Sequence, residues 1–126
     1  MSFRSPLGQA RGLGSAKSGT GHFMAQRLTA MALIPLTLWF VWELLCHAGS
    51  SHEEFVAWIG QPLVAALMAM FCIALFHHAQ LGLQVVIEDY VHGEGAKLLS
   101  LVLVKLAAAL AAVTCVISIL LIAVGQ

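Results

Sequence analysis

Two adjacent histidines, His77 and His78, lie deep inside a long apolar run of the sequence. An ionisable side chain is costly in lipid, so residues of this kind are candidates for function. Adjacent residues of a helix point about 100° apart, and the two imidazoles therefore cannot serve one ligand. Gly82 follows His78 by one helical turn, and Asp89 follows it by three turns on nearly the same face.

A histidine with a glycine one turn away lets a flat macrocycle approach the helix backbone. This suits an axial haem ligand, because one imidazole nitrogen binds iron while a hydrogen bond fixes the other. His78, with Gly82 beside it, is the candidate ligand of the haem iron. No second iron ligand stands at matching depth on another apolar run, so a partner subunit would supply it. The alternative is that both histidines only hydrogen-bond to a neighbouring helix.

Asp89 and Tyr90 stand where this apolar run ends. A phenol at that depth can donate a hydrogen bond to a quinone carbonyl, and a neighbouring carboxylate can organise proton delivery. The alternative is that both residues are interfacial anchors at a helix end.

Arg27 lies near the start of the first apolar run, and its guanidinium suits the anionic propionates of a haem. His22 is close enough in sequence to be a second propionate contact. The alternative for Arg27 is a cationic anchor at the membrane surface. We expect Glu43 and Lys105 to reach the interfaces, and the sequence assigns no function to them or to His77.

The composition requires a membrane. Of the 126 residues, 60% are hydrophobic and only 10% are charged, whereas a soluble domain carries about 25% charged residues. The formal net charge is zero, which argues against a nucleic-acid partner because such partners require a basic surface. The cysteines are odd in number and form no C-x-x-C pair, so neither a disulfide framework nor a zinc site is indicated.

Three apolar runs are long enough to cross a bilayer core of about 30 Å. They predict an all-α membrane protein with spans at about 23–46, 58–87 and 98–124, preceded by a flexible basic tail over residues 1–22. Basic residues concentrate before and at the start of the first span, and the first loop has none. The positive-inside rule therefore puts the N-terminus and the second loop on the cytoplasmic or matrix side.

The stretch from His78 to Tyr90, H-A-Q-L-G-L-Q-V-V-I-E-D-Y, resembles the signature of the D-type hydrophobic anchor subunit of succinate dehydrogenase, respiratory complex II. R-L-T-A at Arg27–Ala30 resembles the start of that family's first span, and W-I-G at Trp58–Gly60 resembles the start of its second. The similarity covers most of the chain beyond residue 20. The hallmarks of the C-type anchor subunit, S-P-H and H-x-x-x-G-x-R-H, do not occur.

The resemblance implies a membrane anchor that binds haem b and contributes to ubiquinone reduction, without a complete active site of its own. His78 would be one axial ligand, with the other from a three-helix C-type partner subunit packed against this chain. Asp89 and Tyr90 would line the ubiquinone site, and Arg27 would contact a haem propionate. An iron–sulfur subunit and a flavoprotein subunit would complete the complex.

Three alternatives remain at the level of the sequence. The chain can be a purely structural anchor or assembly protein without a cofactor, or the anchor of a fumarate reductase. A small transporter with a histidine in a proton relay is the third, although such proteins usually carry internal repeats and none is found here. We expect the bacterial cytoplasmic membrane rather than the mitochondrial inner membrane as its location.

Overall fold

The computed structural model describes residues 19–125. They form four helices and no β-strand: α1 (Gly19–Cys46), α2 (His52–Ile59), α3 (Pro62–Tyr90) and α4 (Glu94–Val124). Three of them, α1, α3 and α4, are long and apolar enough to cross a membrane. The prediction of an all-α protein with three membrane spans is confirmed.

The helices are longer than the apolar runs suggested. They contain 28, 29 and 31 residues, or about 42–46 Å of helix against a hydrocarbon core of about 30 Å. Residues 19–22, assigned to the tail on sequence grounds, form the first turn of α1, and the rest of that predicted tail lies outside the described residues. Each long helix must tilt or emerge from the bilayer.

The short helix α2 occupies part of the segment predicted as a polar loop. The Glu54 backbone N–H donates to Ser51 Oγ (3.3 Å), and the Ser51 backbone N–H donates to Glu54 Oε2 (2.9 Å). This reciprocal capping box satisfies two amides that a helix start leaves unpaired. Trp58 therefore belongs to α2, and the second span begins at Pro62. Proline suits a first helical position because the amide hydrogen that it lacks would have no partner within the helix there.

The helix α3 is the centre of the fold. It packs against both α1 and α4, whereas α1 and α4 make no backbone approach to each other over residues 19–125. Phe40 of α1 stacks on Phe71 of α3 with ring centroids 4.9 Å apart. The few buried side chains cluster where α2 meets α3 and α4: Trp58, Ile59, Ala65 and Ile119.

The first loop is held against α2 by His47. Its Nδ1–H donates to the Glu43 carbonyl (2.9 Å), and its ring stacks on Trp58 with centroids 4.4 Å apart. Most other large apolar side chains are exposed in the isolated chain. Exposure of this kind is expected where lipid or another subunit covers the helices.

Consecutive long helices run antiparallel: α3 to α1, and α4 to α3. Thr29 of α1 meets His78 of α3, and Phe40, further along α1, meets Phe71, earlier in α3. The end of α3 therefore lies at the same side of the molecule as the starts of α1 and α4. We call this side the N-terminal side, and it carries Arg27, Tyr90 and Lys97.

Candidate functional site

The hydrogen bond that joins α1 to α3 is made by the candidate haem ligand. His78 Nδ1 lies 3.0 Å from Thr29 Oγ1. The Thr29 hydroxyl also lies 2.7 Å from the carbonyl oxygen of Ala25, one turn earlier in α1. Both side chains are partly buried between the two helices.

Hydrogen-bond balance at Thr29 favours one tautomer of the neutral imidazole. A hydroxyl has a single hydrogen, and the Ala25 carbonyl, which can only accept, is its shorter contact. The oxygen then accepts from His78, so Nδ1 carries the hydrogen and Nε2 keeps its lone pair. This is the tautomer and orientation that metal-ligating histidines usually show, with the second nitrogen bonded to a protein acceptor.

The His78 side chain lines a groove beside α1. The rest of its lining is almost wholly apolar: Ala30, Leu33, Ile34, Thr37 and Leu38. A Cβ placed on Gly82 would meet no other atom within 4 Å, so open space continues along α3 above His78. An imidazole lone pair, an apolar wall and a bare backbone one turn away fit the edge of a macrocycle such as haem.

Arg27 lies on the helix stripe that forms the wall of this groove. Ile34 and Leu38 follow it by seven and eleven residues, which at 3.6 residues per turn is nearly the same face. Its side chain is exposed and its Cζ lies 5.1 Å from the ring centroid of Phe23. The guanidinium thus stands at the N-terminal end of the groove, where it is accessible to an anionic group.

His22 and His77 lie in a different groove from His78. They line it together with Gln80 and Lys105, which brings α1, α3 and α4 to one place. His22 precedes Arg27 by five residues, about 140° around α1, so the two side chains leave the helix in different directions. The structure therefore separates His22 from the groove that holds His78.

Asp89 and Tyr90 are the last two residues of α3 and both are exposed, Tyr90 by 77%. The Lys97 ammonium donates to the Glu88 carbonyl (2.8 Å) and so caps this helix end. His78 precedes Asp89 by eleven residues, which is about 16 Å along the axis of α3. The two candidate sites are thus distinct: one between helices and one at the surface of the N-terminal side.

Within residues 19–125, no three histidine, cysteine or carboxylate side chains converge on one point.

Sequence reasoning missed Thr29, although it stands inside the R-L-T-A segment. The available signal was a hydroxyl residue within an apolar run, two residues after Arg27. Its pairing with His78 depends on how α1 and α3 are aligned along each other, and the spacing of residues within one helix does not give that alignment.

Comparisons with known proteins identify the family of this chain. A model of the family described as succinate dehydrogenase/fumarate reductase transmembrane subunit matches residues 1–121. The succinate dehydrogenase hydrophobic membrane anchor subunit of Rickettsia bellii is 32% identical over 117 residues, 93% of this chain and 94% of the relative. The subunit of the same name from Paracoccus denitrificans is 37% identical over 93 residues, 74% and 72% of the two chains. No solved structure matches.

A third relative, the succinate dehydrogenase membrane anchor subunit of Reclinomonas americana, is 28% identical over 95 residues, 73% of this chain and 79% of its own length. The family resemblance predicted from the His78–Tyr90 stretch is thereby confirmed. The chain belongs to the family of succinate dehydrogenase/fumarate reductase transmembrane subunits, as a hydrophobic membrane anchor subunit of succinate dehydrogenase.

Proposed function

We propose that this anchor subunit binds haem b through His78 and contributes Asp89 and Tyr90 to the ubiquinone-reduction site of succinate dehydrogenase. The observation that carries the proposal is the contact of His78 Nδ1 with Thr29 Oγ1 at 3.0 Å. It orients an intramembrane imidazole with its other nitrogen available to a metal, which a merely structural histidine does not require.

Four side chains or backbone positions would hold the haem. His78 Nε2 would bind the iron, and Thr29 would keep the ring in place. Gly82 would admit the macrocycle close to α3, and Arg27 would pair with a propionate. A bound haem stores one electron at its iron. The second axial ligand would come from the C-type partner subunit, since no other histidine lines this groove among the described residues.

The quinone site would lie at the exposed end of α3. The Tyr90 phenol would donate a hydrogen bond to a carbonyl oxygen of ubiquinone. The Asp89 carboxylate, which is open to water, would pass on one of the protons that the reduced quinone takes up.

The N-terminal side would face the cytoplasm of a bacterial cell, by the excess of basic residues near the start of α1. Tyr90 lies on the same side, so the iron–sulfur and flavoprotein subunits would dock there, where their electrons enter. The haem would lie deeper, beneath the surface that receives them.

A difference spectrum of the intact complex tests the haem assignment. The complex carrying His78→Ala should lose the reduced-minus-oxidised b-type band, whereas the matched control His77→Ala should keep it. The control removes an adjacent imidazole that lines the other groove. A b-type band unchanged by His78→Ala would overturn the ligand assignment and leave a structural anchor without its own cofactor as the function.

A further inference from the structure

The groove on the other side of α3 has a polar end and an apolar end. Its polar end, the His22 groove, is formed by His22, His77, Gln80 and Lys105. The same His77, Gln80 and Lys105 open a second depression that continues between α3 and α4. Its walls are apolar: Ile73, Phe76, Ala108, Ala109 and Ala112. The whole surface thus has the polarity of an amphiphile, with a head at one end and a tail at the other.

The polar end carries a positive charge that no acidic side chain among residues 19–125 neutralises. Within residues 19–125, the only contact within 4 Å between a basic and an acidic side chain joins His47 to Glu43 at the opposite side of the molecule. Lys105 is exposed within a membrane span and has no carboxylate within 4 Å in that part of the chain. A cation left alone in a span is costly, so an anionic group from outside the chain is expected beside it.

Gln80 is oriented by a ladder of side chains along α3. Its Nε2 donates to Gln84 Oε1 (3.4 Å), and Gln84 Nε2 donates to Glu88 Oε1 (2.8 Å). An amide nitrogen has two hydrogens, so the Gln80 Nε2 keeps a second N–H for the groove. An acceptor placed beside Lys105 would therefore also meet an amide donor.

The polar end of the groove extends from the edge of the membrane to about 9 Å below the surface of a hydrocarbon core of about 30 Å. Phe76 is the middle residue of α3, and Gln80 lies about 6 Å from it towards the N-terminal side. His22 lies in the first turn of α1, at the edge of the membrane. The long stem of Lys105 lets its ammonium rise towards that level while its carbons stay in lipid. The alanine-lined part lies at the bilayer centre, since Ala109 is the middle residue of α4.

We propose that this groove binds one anionic phospholipid. Its phosphate would accept from the raised ammonium of Lys105 at the level of His22, and an ester carbonyl below it would accept from Gln80. One acyl chain would fill the depression along Ala108, Ala109 and Ala112. Basic pockets between membrane helices are known to select anionic headgroups. A zwitterionic lipid would bring its own cation and leave the charge of Lys105 unbalanced.

The site is separate from the proposed haem groove. His77 and His78 point about 100° apart on α3, and the two grooves lie on different sides of that helix. Lipid bound at the His22 groove and haem bound at His78 can therefore be lost independently, and one experiment can distinguish them.

Native mass spectrometry of the intact, detergent-delipidated complex tests the proposal, with phosphatidylglycerol and phosphatidylcholine as probes. Lys105→Met keeps most of the apolar stem and removes the charge, so phosphatidylglycerol should bind about tenfold more weakly. Lys105→Arg should restore binding. The matched control Lys97→Met should bind as the unmodified complex does, because that ammonium is engaged at the Glu88 carbonyl.

A second variant keeps every charge and blocks the tail. Ala109 is exposed in the groove, so Ala109→Phe should exclude the acyl chain and weaken phosphatidylglycerol binding, and it decides the question if Lys105→Met fails to assemble. Unchanged phosphatidylglycerol binding in both variants would overturn the proposal. Equal binding of phosphatidylcholine would also overturn it, as would variants that lose ubiquinone and keep the phospholipid. If the variants lose only the partner anchor subunit, Lys105 pairs with a carboxylate of that partner and the proposal is wrong.

Discussion

Thr29→Val removes the hydroxyl that orients His78 while keeping the β-branched shape of the side chain. The Thr29 bonds to Ala25 and to His78 are both lost, and Nδ1–H is left without its acceptor. An unpaired buried donor costs about 1–3 kcal/mol, but polar pairs between membrane helices average about 0.6 kcal/mol because the unfolded chain also finds partners. His78 is only partly buried, so the loss of stability should be at the low end, about 1 kcal/mol.

The effect on metal ligation should be larger than the effect on stability. Removing the outer-shell partner of a ligating histidine typically weakens metal binding about 10–100-fold. The imidazole of Thr29→Val can rotate or change tautomer, and either change moves the lone pair away from the groove. We therefore expect a folded, assembled complex that loses haem about tenfold faster or more.

Haem content and release distinguish these two effects. The purified complexes would be compared by their reduced-minus-oxidised spectra, and haem transfer to an excess of apo-myoglobin would give the release rate. Thr29→Ser retains the hydroxyl and should behave as the unmodified protein does. If Thr29→Val and Thr29→Ser release haem at the same rate, the hydrogen bond has no part in ligation and the tautomer argument fails.

Three further predictions concern other elements of the structure. Tyr90→Phe should impair quinone reduction and leave succinate oxidation with a soluble artificial acceptor intact; equal loss of both would indicate an assembly defect. Arg27→Met should lower the midpoint potential of the haem in a redox titration, because a cation near the propionates disfavours the oxidised iron, whereas Arg27→Lys should change it less. Ser51→Ala should cost about 1 kcal/mol of α2 stability through loss of its N-cap, seen as faster hydrogen exchange at residues 52–55; Ser50→Ala is the control, and equal exchange in both would refute the cap's contribution.

The membrane spans could be predicted from the sequence because a span requires only that its residues be apolar enough for lipid. Twenty apolar residues satisfy their own backbone hydrogen bonds as a helix in lipid, whatever their neighbours are. The helix ends were less predictable. Trp58 is apolar and was counted with the second span, but Ser51, Glu54 and Pro62 divide the segment into a capped short helix and a new start. Capping chemistry, which hydropathy does not measure, sets these bounds.

The candidate site was predictable only in the part that lies on one helix. The stripe from His78 through Gly82 to Asp89 is a repeat within α3, and spacing along the chain is enough to find it. Thr29 became part of the site through the register between α1 and α3. The separation of His22 from Arg27 likewise follows from the direction in which each leaves α1, which their closeness in sequence conceals.

The pair of adjacent histidines takes on a different meaning once the central position of α3 is known. A helix with one neighbour on each side presents a groove along each of them, and consecutive residues about 100° apart can enter different grooves. His78 turns towards α1, where Thr29 orients it, and His77 turns to the side where Lys105 of α4 lies. One stripe of α3 therefore leads from His78 to Asp89, and the next leads from His77 through Gln80 and Gln84 to Glu88. Because both stripes end at the N-terminal side, the ladder from Gln80 to Glu88 and the stripe from His78 to Asp89 meet at the end of α3 that carries Tyr90.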